Sequence, residues 1–422
     1  MKEKSKLSLE PYKGTRDFYP EDQFVQEYMF SVMRRVVERY GYEPYHASVL
    51  EDAALYRAKS GDEIVSEQTY TFKDRGEREV TLRPEMTPTL ARMVAKRRQE
   101  LAFPLRWYSI PNMFRYERPQ RGRLREHWQL NADIFGVEGI EAETELIAMA
   151  RDLMREFGAK DSGFEIRVNA SSGKLAKVLQ SELDIDAAAA KALVRLVDKK
   201  EKISASEFRK AAEEILGAEA AKLLKLLSSA EPFGEDLEAL LQALKKRGVE
   251  NARFYPSLVR GFEYYTGIIF EVFDTNKENP RALFGGGRYD ELLDIFGVAP
   301  VPAAGFGMGD VTMRDYLETH KLLPAYSPKT MIYLCRIGEE AAEYAEEVAG
   351  YLREQGIPVA LDYTGRKVGL QVKSASKQSV PFVIVIGEEE MHSHILSFKE
   401  MGSGKESKLT KEKIAEHVKK SK

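Results

Sequence analysis

Four arginines crowd the eight residues Arg118 to Arg125, RPQRGRLR. Guanidinium groups are planar, permanently charged and suited to bidentate contact with phosphate or carboxylate oxygens. Just downstream, His127, Gln129, Asn131 and Asp133 recur at every second position, with Trp128, Leu130, Ala132 and Ile134 between them. Ahead of the loop, Arg115 and Glu117 alternate with Phe114 and Tyr116. Period-two alternation marks half-buried strands. Two paired strands would therefore gather guanidinium, carboxylate, amide and imidazole groups beside a basic loop. The chemistry this suits is capture of a phosphate-bearing substrate. A solvated hairpin is the plainer alternative, but a tryptophan and an amide row are costly for mere surface.

Three further stretches carry chemistry. In EVTLRPEMTPT, Glu79 to Thr89, the residues Thr81, Arg83 and Glu85 alternate with Val80 and Leu82 until Pro84 and Pro88 break the strand. Glu85 then stands where a helix begins, which stabilises a carboxylate. The run Arg260-Gly261-Phe262-Glu263-Tyr264-Tyr265-Thr266-Gly267 sets an arginine before two tyrosines and brackets them with glycines, which permits close backbone approach to a ligand. A glycine triplet follows in Phe284-Gly285-Gly286-Gly287-Arg288-Tyr289-Asp290. Neither a GxGxxG fingerprint nor a P-loop is present, which argues against Rossmann and Walker nucleotide sites.

Taken together, FRYERPQRGR…HWQLNADIFG, LRPEMT, RGFEYY and GGRYD resemble the class II aminoacyl-tRNA synthetases, and in detail the histidyl-tRNA synthetase family. The resemblance runs from Lys13 to about Leu409. It implies histidine and ATP as substrates, Mg2+ bridging the β- and γ-phosphates, and transfer of the histidyl group to tRNA(His). Arg115 and Arg260 correspond to the arginines on either side of the α-phosphate. Glu117 would meet the adenine amino group, Arg123 the distal phosphates, and His127 would stack on the base where the family often has Phe. Glu85, Thr87, Gln129, Asp133, Tyr264, Tyr265 and Tyr289 correspond to the histidine pocket, with Asp133 where the family usually has Glu. Arg118, Gln120 and Arg121 fall in the loop that meets the tRNA acceptor end. The third class II motif departs from its pattern: Thr312 replaces the expected arginine, and Arg314, two residues on, falls on another face of the helix. That leaves Arg123, and in second place Arg288, to hold ATP.

The elements that position these groups imply an α+β fold. A class II-like mixed or antiparallel sheet would occupy residues 1–325, with a helical insertion at 172–248 that in similar proteins contacts the acceptor arm. An α/β anticodon-binding-like unit would fill residues 326–422. Asp22 to Tyr40 reads as an amphipathic helix capped by Asp22, with Phe24, Tyr28 and Val32 on one face and Gly41 as its stop. With the following strand it corresponds to the dimer-forming motif, although Ser48 stands where a proline is usual. A second helix spans Leu90 to Arg98. Ser204 and Glu207 fit a capping box, with Gly217 as C-cap. Ala303 to Leu317 reads as a small-residue strand and then a helix capped by Asp310, and Leu322 to Lys329 as a linker. Beyond it, strands Thr330 to Leu334, Val359 to Asp362 and Phe382 to Ile386 alternate with helices Glu339 to Glu354 and Lys367 to Lys377. Phe398 would lie in the last strand, ahead of a lysine-rich helix from Lys411.

Composition narrows the function classes. The chain has 422 residues, 43% of them hydrophobic and 31% charged, and a net charge of −3. Its length suggests two or three domains, and nucleic-acid contacts must come from local basic patches. No apolar run approaches a membrane span, and MKEKSKLSLEPYKG lacks the apolar core of a secretory signal. The single cysteine, Cys335, excludes an internal disulfide and reads as a core thiol. These features favour a cytoplasmic protein. Two other readings remain: a catalytically inactive, histidine-binding paralogue that regulates an ATP phosphoribosyltransferase, and a nucleic-acid-binding module without catalysis.

Overall fold

A computed structural model describes residues 7–58, 68–260 and 264–421. Gly261, Phe262 and Glu263, and the N-terminal Met1 to Lys6, lie outside the described residues. The chain divides into two compact units, the first built mainly from Val25–Leu323 and the second from Pro324–Lys422.

In the first unit the strands are β1 (Glu43–Pro44), β2 (Leu50–Asp52), β3 (Tyr70–Lys73), β4 (Glu79–Leu82), β5 (Leu105–Ser109), β6 (Asn112–Phe114), β7 (Glu126–Phe135), β8 (Phe164–Ala170), β9 (Ala252–Phe254), β10 (Ile268–Asp274), β11 (Ala282–Arg288) and β12 (Ala303–Gly309). Among the described residues nine of them make one sheet, in the order β1-β5-β7-β12-β11-β10-β8-β9, with β6 also on β7. The middle of this sheet, from β5 to β8, is antiparallel; only the outer pairs β1–β5 and β8–β9 are parallel. The strands β2, β4 and β3 form a separate small sheet.

The alternation in β7 explains its place at the centre. Leu130, Ala132 and Ile134 are buried in the main core beneath the sheet, against the helices Pro20–Arg39 and Glu141–Glu156. Each such Leu or Ile contributes roughly 1.5–3 kcal/mol. The opposite row, from His127 to Asp133, is left facing the site.

The helix Pro20–Arg39 starts two residues before Asp22, so Asp22 sits in its first turn rather than at the cap. Its buried stripe is Met29, Val32, Met33, Val36 and Val37, with Phe24 and Tyr28 only partly covered. A helix at Thr87–Arg97 has Pro88 in its first turn, where the missing N–H costs nothing.

Of the helices between 172 and 248, those from Ser172–Leu183 to Ala220–Leu226 share their own core, including Leu179, Leu193, Phe208 and Leu223. Ser204 and Glu207 make the capping box and Gly217 the C-cap of the helix Ala205–Leu216. The last helix, Glu235–Lys246, instead sends Leu237, Leu240 and Leu244 into the main core. Asp310 is the first residue of the helix Asp310–Thr319, whose cap is Gly309. Its carboxylate accepts from the Trp128 backbone N–H at 2.9 Å and pairs with Arg16 at 2.6 Å, so it ties helix to sheet.

The second unit is a five-stranded mixed sheet of described residues with a core of its own. Ile332–Arg336 lies parallel to both Val359–Leu361 and Phe382–Ile386, and two antiparallel strands complete the sheet. Phe398 is in the penultimate strand, since Glu406–Leu409 follows. Cys335 is fully buried, and burial pushes its thiol up to about 12. No helix of the described residues is long and apolar enough to cross a membrane.

Candidate active site

Five strands of the large sheet, with the loop after β6, bring the chemistry-bearing stretches together around two joined cavities. The inner one, about 110 Å³, is lined by Glu85, Thr87, Arg115, Gln129, Asp133, Arg260, Tyr264, Tyr265 and Tyr289. The outer one, about 940 Å³, is lined by Arg115, Glu117, Arg123, His127 and Gln129 among others. Arg115, Gln129 and Gly307 border both.

The glycines of β11 and β12 make the floor. A Cβ on Gly305 would collide with the Asp133 carboxylate, one on Gly307 with the Gln129 amide, and one on Gly285 with the Arg260 guanidinium. Glycine weakens a strand. Here that cost leaves room for three polar side chains lying flat on the sheet.

Asp133 is 4% exposed and accepts a short hydrogen bond from the Tyr289 hydroxyl. Burial raises its carboxyl from 3.8 to about 7, against the opposing pull of Tyr289. Glu85 is equally buried and accepts from the Tyr264 hydroxyl at 3.2 Å. The rings of Tyr264 and Tyr265 stand 4.8 Å apart. Gln129 donates to Asn131 at 2.6 Å, so its amide is held in place by a neighbour on the same strand face.

Arg115 donates from Nε to the Pro84 carbonyl at 2.9 Å, which aims its guanidinium along the seam between the cavities. Arg260 donates to the Phe270 carbonyl at 3.2 Å and stands 3.6 Å from Glu271. Burial raises the Glu271 carboxyl, partly offset by Arg260. His127 is held down to about 3, by burial first and then by the charges of Arg115 and Arg16. Its ring is therefore neutral at pH 7 and suited to stacking.

The remaining candidate residues are paired within the protein or exposed on the loop. Arg123 forms an ion pair with Glu117 at 2.9 Å, so neither is free without a ligand. Arg118 and Gln120 are exposed on the loop. Arg121 reaches back to Asn279 at 3.0 Å and Thr319 at 3.3 Å. Arg288 cannot serve the outer cavity: it is buried in a pair with Glu143 at 2.6 Å and donates to the Val137 and Gly139 carbonyls. Thr312 donates to the Leu283 carbonyl at 2.6 Å, and Arg314 pairs along its own helix with Glu318 at 2.9 Å.

Sequence reasoning missed Asn131 as a pocket residue, although it belongs to the polar row of β7. It also missed Arg167, Tyr255 and Arg281, which line the outer cavity. Arg167 lies between the Tyr255 and Phe273 rings, 4.2 and 4.0 Å from their centroids, and no motif signals that stack.

Residues 14–309 match the family described as histidyl-tRNA synthetase, and residues 331–421 match the anticodon binding domain. The chain belongs to the histidyl-tRNA synthetase family. It is 40% identical over 418 residues to a histidine–tRNA ligase of Leptospira biflexa, covering 96% of this chain and 95% of that one. To the histidine–tRNA ligase of Thermoplasma volcanium it is 35% identical over 426 residues, covering 96% and 97%. The crystal structure of histidyl-tRNA synthetase from Nostoc sp. PCC 7120 shares the fold, with a TM-score of 0.82 at 21% identity over 99% of this chain and all of that one.

Proposed function

We propose that this protein is a histidine–tRNA ligase. It activates histidine with ATP to histidyl-adenylate and passes the histidyl group to the terminal ribose of tRNA(His). The observation that carries the reading is the seam at Arg115. A small pocket with two buried carboxylates opens there into a larger cavity lined by guanidinium groups and a neutral imidazole.

In this reading Glu85, with Tyr264 and Thr87, receives the ammonium group of histidine. Asp133, fixed by Tyr289, accepts from the imidazole N–H, and Gln129 and Tyr265 complete the pocket. The substrate carboxylate is thereby aimed at the α-phosphorus, and holding the two in line removes much of the entropic barrier. Arg115 and Arg260 offset the charge that grows on the phosphoryl oxygens, which is the larger share of the catalysis. His127 supports the adenine base, Glu117 its amino group, and Arg123 moves from Glu117 to the outgoing pyrophosphate.

Mg2+ belongs to this proposal as an ion carried by the nucleotide, where it would offset charge on the β- and γ-phosphates. Arg118, Gln120 and Arg121 face the acceptor end in the same reading. A homodimer and a cytoplasmic setting accompany it; they rest on the resemblance around Pro20–Arg39 and on a single buried cysteine. The regulatory reading is less supported, because Arg115, Arg123, Arg260 and the anticodon-binding unit are all present. Charging of tRNA(His) with labelled histidine is the direct test. Failure to charge with both substrates bound would overturn the proposal.

A further inference from the structure

Five cationic side chains line the outer cavity: Arg115, Arg123, Arg167, Lys202 and Arg281. Four are engaged. Arg115 donates to the Pro84 carbonyl, Arg123 pairs with Glu117, Arg167 with Glu165, and Lys202 with Asp198. Arg281 alone of the five has no hydrogen-bond or carboxylate partner among the described residues, and it is exposed to the cavity mouth. An unpaired guanidinium directed at a nucleotide cavity is a ready site for phosphate.

Its placement is fixed on two sides. Arg281 directly precedes β11, which is held in the middle of the sheet. The hydroxyl of Thr312 donates to Leu283 of the same strand. Above Gly122, in the arginine-rich loop, the position that a Cβ would take is 3.6 Å from the Arg281 Cδ and 3.5 Å from the Thr312 methyl. The Arg281 side chain thus crosses the space between the loop and the start of the helix Asp310–Thr319, beside a residue too short to reach a ligand. In the ligase reading the α-phosphate lies at the seam by Arg115 and the distal phosphates at Arg123, and Arg123 directly follows Gly122, the loop residue that Arg281 faces.

We infer that Arg281 binds the distal phosphates of ATP and supplies the cationic contact that neither Thr312 nor Arg288 can make. This rests on the ligase reading above and deepens it by naming a further substrate-binding residue.

The test measures histidine-dependent pyrophosphate exchange for wild type, Arg281→Ala, Arg281→Lys and, as a control off the cavity, Arg314→Ala. The expected result is an ATP Michaelis constant raised roughly 10- to 100-fold in Arg281→Ala, the loss of one charge-assisted contact. Arg281→Lys should recover part of it, since it keeps the charge without the fork. Inhibition by AMP, which lacks the distal phosphates, should change by less than about twofold, as should the histidine Michaelis constant. Because Arg281 is exposed, the melting temperature of each variant should match wild type. An unchanged ATP constant in Arg281→Ala overturns the inference. So does an equal loss for ATP and AMP, which would place the guanidinium on the base. Absent exchange in the wild type would overturn the ligase reading itself, whereas intact exchange with an indifferent Arg281→Ala overturns only this assignment.

Discussion

Replacing Asp133 by Asn removes a charge and almost no volume, and it should make the protein more stable and less able to use histidine. In the folded chain the carboxyl titrates near 7, because burial disfavours its charge; in the unfolded chain it titrates near 3.9. Between those values the folded chain holds a proton that the unfolded chain has lost. Stability therefore falls as pH rises from about 4 to about 7 and is flat above that. The interval of about three pH units corresponds to ~4 kcal/mol. Asparagine carries no such cost, and its amide can donate to the Tyr289 oxygen. Asp133→Asn should thus match wild type near pH 4 and exceed it by up to ~4 kcal/mol at pH 8. Denaturant melts at several pH values measure this. The functional effect should run the other way. The charged acceptor for the imidazole is replaced by a neutral amide oxygen, and loss of that charge-assisted hydrogen bond should raise the histidine Michaelis constant roughly 10- to 100-fold at pH 8. A variant that loses stability at pH 8 and keeps its histidine constant would refute the reasoning, since Asp133 would then be a structural anchor.

Three other outcomes follow from the same geometry. Gly305→Ala should weaken histidine use by at least about tenfold while sparing ATP, because the new methyl occupies the space of the Asp133 carboxylate; parallel changes in both substrates would point to a deformed sheet instead. Arg260→Ala should slow adenylate formation roughly 10²- to 10³-fold, as loss of a transition-state donor does, with histidine affinity read by calorimetry changing far less; equal losses would make Arg260 a support of the pocket. A fragment ending at Leu323 should still form adenylate, because the first unit keeps its own core and every pocket residue. It should charge tRNA poorly, with the missing affinity sensitive to salt; equal charging by fragment and full chain would show that the second unit is not needed for tRNA.

Much of the site could be read from the sequence because strands write themselves with period two. The row His127, Gln129, Asn131, Asp133 gave a polar face directly, and Leu130, Ala132 and Ile134 gave the core face. The glycine triplet was visible, but its reason was not, since the atoms that forbid a Cβ come from other strands. A residue with capping chemistry can fall inside its helix when it has a stronger partner elsewhere. Asp310 is an example, held by Arg16 nearly three hundred positions away in the chain. Arg288 looked like a free cation next to the pocket motif, and only the fold shows Glu143 against it. Arg281 gave no sequence signal, because being unpaired is a property of the surroundings and not of the residue. The helical insertion was legible from its composition. The allegiance of its last helix, Glu235–Lys246, was not, as an apolar stripe does not say which core will receive it.

The claim that joins all of these points is that the two cavities form one active centre for adenylate formation. Histidine-dependent exchange of labelled pyrophosphate into ATP, without tRNA and with the other amino acids as controls, tests it most directly. Exchange is expected with histidine, none above background with the others, and it should be lost in Arg115→Ala. A protein that binds histidine yet exchanges no pyrophosphate would contradict it.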